Sequence, residues 1–180
     1  MSEMFGSAQR PFYNSARSLE LDAIPIDVYT DFVITHFRAA GKDMLAEAIK
    51  KVYETFQGVT LYNQQVMNTA YAITPVGETC DIETVEELVE DLIRQNDRKM
   101  RELLQFIGEM QKAVLYAIFE EQPIRSISSA AFTKKHRLKS PSSTQAAVKK
   151  LLELDFITRK EGYYMIADPL MSLWMEKNLR

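Results

Sequence analysis

Hydrophobic residues recur at helical spacing through the first half of the chain. The repeat predicts helices over three successive segments: 25–37, 43–56 and 60–72. Gly41 and Gly58 follow the first two segments and are suitable stop signals, because glycine adopts the backbone conformation that ends helices. Asp81 is placed to cap a fourth helix. We therefore expect a helical bundle over residues 25–98.

The last third of the chain shows shorter elements in a different order. One helix has Ser140 as a suitable N-cap, and Pro141 fits its first turn because proline lacks an N–H that would be unpaired there anyway. Two short apolar runs flank a turn at Glu161–Gly162. In chain order, the predicted elements are helices at 112–121, at 128–136 and from 141 onward, and strands at 157–159 and 163–166.

Three helices followed by a β-hairpin are the element order of a winged helix, a variant of the helix-turn-helix. We predict a mainly α fold, in which the helical bundle is followed by a winged-helix domain with a small hairpin at 109–180. Residues 99–108 are predicted as a hinge or a continuing helix. Residues 1–24 show no helical period, apart from a possible short strand at 18–21.

Composition places the chain among ordinary globular proteins. It has 180 residues, 46% of them hydrophobic, and a formal net charge of -3, which argues against a protein coated in basic residues. The single cysteine, Cys80, cannot form an internal disulfide and suits a reducing cytoplasm. The apolar run at 114–119 is far shorter than the roughly 20 residues of a membrane span. We expect a cytoplasmic protein with no membrane partner.

The residue patterns of common enzyme classes are missing from the sequence. There is no GxxxxGK[ST] motif, so no Walker A loop is predicted. His36 and His136 are far apart and lack paired Cys or acidic neighbours, which argues against a metal site. Cys80 has no nearby His to activate it, so a place in the core is the favoured interpretation. We predict no catalytic residues, no metal and no cofactor bound by this chain alone.

A local excess of positive charge lies within the predicted winged helix. Between Lys134 and Lys160 there are eight basic and two acidic residues, an excess of six. These residues fall on the second helix, the turn, the third helix and the hairpin, where winged helices meet phosphates. Short polar side chains in the third helix can reach bases or phosphates. The predicted DNA-binding residues are Lys134, Arg137, Lys139, Ser142, Ser143, Gln145, Lys149, Lys150 and Lys160.

Two hypotheses for function stay open at this point. The first is weak, phosphate-driven binding of duplex DNA, since the third helix presents no Arg or Asn for bidentate base readout. The second is an interaction or regulatory module that docks on another protein or on a second copy. Its candidate anchors are Phe12, Tyr13, Tyr62 and Trp174, although core packing explains each of these aromatics as well.

Three motifs resemble the C-terminal part of a prokaryotic AAA+ ATPase, in the group whose core is followed by a helical lid and a winged helix. They are RPFYNSARSLELDAI (10–24), FQGVTLYNQQVMN (56–68) and YYMIADPLMSLWM (163–175). The resemblance implies that residues 1–24 correspond to the tail of an AAA+ core and that residues 25–98 form a lid-like bundle. It also implies that Gly58 and Thr60 lie beside a nucleotide.

The sequence departs from that family in two ways. An Arg common in the first motif falls at Asn14–Ser15, and the Walker A and Walker B segments that precede this region in relatives are missing. A lid alone supplies one wall of an ATP site but no phosphate grip or magnesium ligand. ATP is therefore expected only if a separate nucleotide-binding domain is supplied. Either the chain is part of a longer product, or an ATPase core is its partner.

Overall fold

The structure is a computed structural model that describes residues 22–127 and 129–179. The possible strand at 18–21 and the candidate anchors Phe12 and Tyr13 lie outside the described residues. The described part is mainly helical and includes a small hairpin, which confirms the predicted fold class.

The first half of the described chain is a helical bundle. Each helix turns its apolar stripe inward, and Tyr29, Phe37, Ile49 and Val52 are among the buried residues of this core. The helices are α1 (Ile26–Ala39), α2 (Ala46–Thr55), α3 (Thr60–Ile73) and α4 (Ile82–Gln95). Asp81 caps α4, as predicted, because its carboxylate accepts a hydrogen bond of 2.9 Å from the Thr84 N–H.

The prediction of one helix over 43–56 is wrong at its start. Asp43–Met44 form strand β1, which pairs in parallel with β2 (Thr79–Cys80), and α2 begins only at Ala46. Met44 and Cys80 are both buried at this pair, so Cys80 lies in the core. The helical repeat did not reveal the strand because its partner lies beyond α3 in the chain.

A further helix, α5 (Asp97–Gln105), follows α4 after a break at Asn96. Most of the segment predicted as a hinge or a continuing helix is therefore helical. Met100 is fully buried and Leu104 nearly so, which fixes α5 against the core.

The second half has the order expected for a winged helix. Its elements are α6 (Glu109–Glu121), α7 (Ala130–Lys135), α8 (Pro141–Glu153), β3 (Ile157–Lys160), β4 (Tyr163–Ile166) and α9 (Pro169–Leu179). The strands β3 and β4 pair in antiparallel register around the turn at Glu161–Gly162, as predicted. A further antiparallel bridge joins Ile124 to Tyr164, which adds a third strand position that the sequence did not reveal.

Polar contacts join the bundle and α5 to the second half of the described chain. The Tyr62 hydroxyl on α3 donates to Asp168 Oδ2 at 2.8 Å, and Trp174 Nε1 on α9 donates to Asp97 Oδ1 at 2.9 Å. Lys177 forms an ion pair with Glu90. Tyr62 and Trp174, two of the candidate partner anchors, are thus buried within the chain and hold its halves together.

No helix of residues 22–127 or 129–179 is long and apolar enough to span a membrane.

Candidate nucleic-acid interface

The start of α8 is fixed by a capping box. Ser140 Oγ accepts from the Ser143 N–H at 3.2 Å, and Ser143 Oγ accepts from the Ser140 N–H at 3.1 Å. Thr144 is buried and donates to the Ser140 carbonyl at 2.9 Å. The hydroxyls of Ser143 and Thr144 are therefore engaged in the cap. Ser142 is exposed, although its hydroxyl lies 3.1 Å from Ser140 Oγ, and Gln145 is exposed as well.

The two faces of α8 differ sharply. Ala147, Val148 and Leu151 are buried in the core, where α8 packs against α6. Lys149 and Lys150 are exposed on the other face. Four polar side chains of this face are three or four residues apart and so form one stripe along the helix: Ser142, Gln145, Lys149 and Glu153.

The turn between α7 and α8 carries the next group of cations. Arg137 has a positive φ of 53°, and the Leu138 N–H donates to the Thr133 carbonyl at 2.8 Å. This left-handed residue lets the chain reverse direction within a few residues. Lys134, Arg137 and Lys139 are all exposed around it. The turn thus presents its cations beside the N-terminal end of α8.

His136 anchors this turn from the inside. Its side chain is 8% exposed, and Nε2 lies 2.5 Å from Glu121 Oε1 at the end of α6. Lys135 Nζ lies 2.6 Å from the same carboxylate oxygen. The hydrogen bonds from Lys135 and His136 hold the pKa of Glu121 below its usual range. His136 therefore has a structural role that positions α7.

The hairpin contributes a third group of cations. Lys160 and Arg159 are exposed near its tip. The guanidinium carbon of Arg159 lies 5.2 Å from the Tyr164 ring centroid, and that of Arg125 lies 4.3 Å from the Tyr163 ring centroid. Sequence reasoning missed Arg125, because only the bridge between Ile124 and Tyr164 brings it to the hairpin.

Ion pairing separates the cations of the two halves. In the bundle and α5, six of the described cations contact an acidic side chain: Arg38, Lys50, Lys51, Arg94, Arg98 and Arg101. Lys135 and Lys150 of the winged helix are also paired, the latter with Glu153 at 3.3 Å. Some described Lys and Arg side chains have no ion pair with another described residue. Two of them, Lys42 and Lys99, lie outside the winged helix. The others all lie within it: Arg125, Lys134, Arg137, Lys139, Lys149, Arg159 and Lys160.

Gly58, which the family resemblance places beside a nucleotide, is buried with a φ of 76°. A Cβ at this position would lie 2.8 Å from Tyr53 Oη and 2.9 Å from Ala23 Cβ. The space toward which a Cβ would point is thus filled by protein, and the position of Gly58 beside a nucleotide stays a prediction. Thr60 is exposed at the first turn of α3.

Within the part of the chain that the structure describes, no group of three or more His, Cys, Asp or Glu side chains is placed to hold a metal ion.

Comparisons with known proteins agree with this geometry. Residues 98–177 match the family described as a probable winged helix domain. No curated protein matches the chain. Among solved structures, the fold is similar to that of a Walker-type ATPase of Pyrococcus abyssi, with a TM-score of 0.56 and 16% sequence identity.

That similarity covers 83% of this chain and 41% of the ATPase chain, so this chain spans less than half of that protein's length. At this identity the likeness shows the fold and carries no activity with it. The family match begins within α5, so this helix is matched together with the elements that follow it. The chain therefore carries a winged-helix domain, and its fold is similar to part of a Walker-type ATPase.

Proposed function

We propose that the chain is a non-catalytic module of an ATPase-like protein, and that its winged helix binds duplex DNA weakly through phosphate contacts. The observation that carries the proposal is the collection of unpaired cations on the α7–α8 turn, on α8 and on the hairpin. An exposed cation without an acidic partner is free to contact a phosphate. A cytoplasmic location belongs to the same proposal, because the single cysteine suits a reducing compartment.

The exposed side chains divide the work of binding. Arg137, Lys139 and Lys149 contact phosphates, while Gln145 is free to donate hydrogen bonds at the groove. Ser142 is exposed and exchanges its contact with Ser140 Oγ, at 3.1 Å, for one at the groove. Ser143 acts indirectly, because its hydroxyl fixes the start of α8. Lys150 contributes less than Lys149, since its ammonium group is shared with Glu153.

The proposed binding is tolerant of sequence and sensitive to salt. The exposed face of α8 carries no Arg or Asn, which are the side chains best suited to bidentate contact with guanine or adenine. Phosphate contacts instead release counterions, so log K falls by about 0.9 for each contact per unit of log salt. The net charge of the chain is -3, so binding requires this local surface rather than general attraction to DNA.

The test is a salt titration of duplex affinity by fluorescence anisotropy. The double substitution Lys139→Gln and Lys149→Gln should weaken binding. It should also reduce the slope of log K against log salt by roughly the amount expected for two phosphate contacts. Lys50→Gln is the matched control, because Lys50 is exposed on the bundle and paired with Glu54. An unchanged slope in the double variant would contradict the proposal.

A second candidate function, a protein-interaction module, has its own supporting observation. Val28 and Phe32 on α1 are exposed, and Phe32 borders a groove of about 310 Å³ between α1 and α3. Met67 and Tyr71 line the same groove. Exposed apolar side chains beside a groove are typical of a docking surface for a second protein.

Sedimentation velocity distinguishes this second candidate from the first. A dimer that Phe32→Glu dissociates would favour the interaction module, with the α1 groove as its surface. Phe106→Glu is the control, because Phe106 is 83% exposed and lies outside the groove. The first candidate would be favoured if the wild-type chain is a monomer and the Phe32→Glu variant still binds duplex DNA.

A further inference from the structure

The winged-helix hairpin carries a row of three side chains across its strands. Lys160 on β3 lies directly opposite Tyr163 on β4. The bridge between Ile124 and Tyr164 puts Arg125 on the other side of Tyr163. The distance of 4.3 Å from the Arg125 guanidinium carbon to the Tyr163 ring centroid confirms that these two side chains share a face.

This row lies on the face of the hairpin opposite the one that packs on the core cluster, and Lys160 borders a cavity that Gln57 and Val59 of the bundle also line. Side chains alternate between the two faces of a strand, so Tyr164 and Tyr163 point in opposite directions. Tyr164 packs against the core cluster, together with Ile166 and Ile157. Tyr163 is not part of that cluster and remains partly exposed, and Arg125 and Lys160 are exposed beside it.

The row combines the two features that hold single-stranded nucleic acid. An aromatic ring stacks on a base, and flanking cations bind the phosphates on either side of it. In a continuous duplex the base faces are covered by their neighbours and unstacking them costs energy, so a protein ring stacks most readily where a strand is unpaired. The turn beside Lys160 and Tyr163 brings the row close to the tip of the hairpin, and β3 packs against α8.

We propose that Arg125, Tyr163 and Lys160 bind unpaired nucleotides next to a duplex, so that the chain prefers duplex DNA with a single-stranded tail. This inference rests on the proposed function, because α8 holds the duplex while the row holds the tail. Arg125 also keeps the Tyr163 ring in place through their stacking contact.

The experiment compares three probes by fluorescence anisotropy: a blunt duplex, the same duplex with an oligothymidine tail, and the tail strand alone. The wild-type chain should bind the tailed duplex roughly fivefold or more tightly than the blunt one, which is the lower end expected for one stacked base. Tyr163→Leu should abolish this preference without changing the affinity for the blunt duplex. Tyr163→Phe retains the ring and should keep the preference.

Two further variants separate folding and duplex effects from the effect on the tail. Arg125→Gln changes an exposed side chain and should also reduce the tail preference. Lys149→Gln on α8 should weaken both duplex probes by the same factor. Circular dichroism and thermal melting of each variant show whether it folds.

The outcomes distinguish the two proposals. Equal binding of tailed and blunt duplex by the wild-type chain would overturn this inference and leave the proposed function standing. A tail preference that survives in folded Tyr163→Leu would overturn the assignment to this row. Binding of the tail strand without binding of the blunt duplex would overturn the proposed function and retain the row. Binding of none of the probes would overturn both.

Discussion

Tyr62 on α3 donates a hydrogen bond of 2.8 Å to Asp168, the residue before α9. The same carboxylate accepts from the Leu170 N–H at 2.8 Å. One side chain in the bundle therefore fixes the residue at which the hairpin gives way to the last helix. Burial is the main cause that raises the pKa of Tyr62. The contact with Asp168 raises it further, because a nearby carboxylate disfavours tyrosinate.

Tyr62→Phe is expected to destabilise the chain by about 1.5 to 3 kcal/mol, since it removes a hydrogen bond to a charged group and leaves the Asp168 oxygen without it. Urea denaturation at neutral pH measures the change in the free energy of unfolding. Tyr71→Phe is the control, because the Tyr71 side chain is exposed, and its effect should stay within about 0.5 kcal/mol. Equal effects of the two substitutions would contradict the prediction.

Tyr29→Phe should have the opposite effect at neutral pH. The Tyr29 hydroxyl is buried, and within the described residues it has no hydrogen-bond partner. Removing it relieves a desolvation cost, so we expect a stability equal to or about 1 kcal/mol above that of the unsubstituted chain. A clear loss of stability in urea denaturation would show that the hydroxyl is hydrogen-bonded after all.

The same residue predicts a loss of stability at alkaline pH. Burial raises the pKa of Tyr29 from 10.0 to about 12. A raised folded-state pKa gives stability that is present below the unfolded value and is lost as pH rises from about 10 toward about 12. Each pKa unit corresponds to about 1.4 kcal/mol, so the loss is at most about 2.7 kcal/mol. The dependence measured by denaturation across this range should be shallower in Tyr29→Phe.

Glu121→Gln is expected to lower thermal stability and to flatten its dependence on acid pH. Lys135 and His136 lower the pKa of Glu121 from its ordinary value of 4.5. A lowered pKa gives stability that is present above the unfolded value and is lost as pH falls through the folded one. Melting temperatures measured across acid pH check this. An unchanged pH profile in Glu121→Gln would exclude the carboxylate as the source.

Gly58→Ala should destabilise the bundle more than Gly77→Ala does. Both glycines have a positive φ, which costs an alanine roughly 1 to 2 kcal/mol. A Cβ at Gly77 meets open space, whereas one at Gly58 would lie 2.8 Å from Tyr53 Oη and 2.9 Å from the ring carbon that carries it. That ring is held by a hydrogen bond of 2.7 Å from Tyr53 Oη to the Ile24 carbonyl. We expect an additional cost of about 1 to 3 kcal/mol in urea denaturation.

Ser140→Ala should cost about 1 kcal/mol of stability, because it removes the side-chain half of the capping box at α8. Gln145→Ala, on the exposed face of the same helix, should change stability by less than about 0.5 kcal/mol. Thermal denaturation of both variants measures the difference. Equal effects would mean that the cap contributes nothing to the start of α8.

Local signals in the sequence predicted the elements well. Asp81 and Ser140 cap helices because an N-cap needs only a side-chain oxygen and the N–H groups that follow it. The hairpin was predicted for a similar reason, since Glu161–Gly162 and the two flanking runs are adjacent in the chain. In each case, the partners of the interaction lie within a few residues of one another.

Contacts between distant segments were not predicted. The parallel pairing of Asp43 with Thr79 replaced the predicted start of α2, and no pattern near Asp43 indicates it. Arg125 reaches Tyr163 only because Ile124 pairs with Tyr164. One short-range contact was not predicted either: Lys149 and Lys150 lie four and three residues before Glu153, and only the structure shows that Lys150 is the one that contacts it. The DNA-contact residues therefore stay predictions, which the structure sorts by exposure and pairing.

The sequence by itself determined the helical repeat, the caps and the order of the winged helix, because these depend on spacing and on short-range hydrogen bonds. Only the tertiary structure decided which aromatics face inward, as Tyr62 and Trp174 do, and which of the described cations have no ion pair. Burial depends on residues brought together from distant parts of the chain, which no local pattern encodes. Even for a short-range ion pair such as Lys150–Glu153, the spacing alone does not decide which lysine reaches the carboxylate.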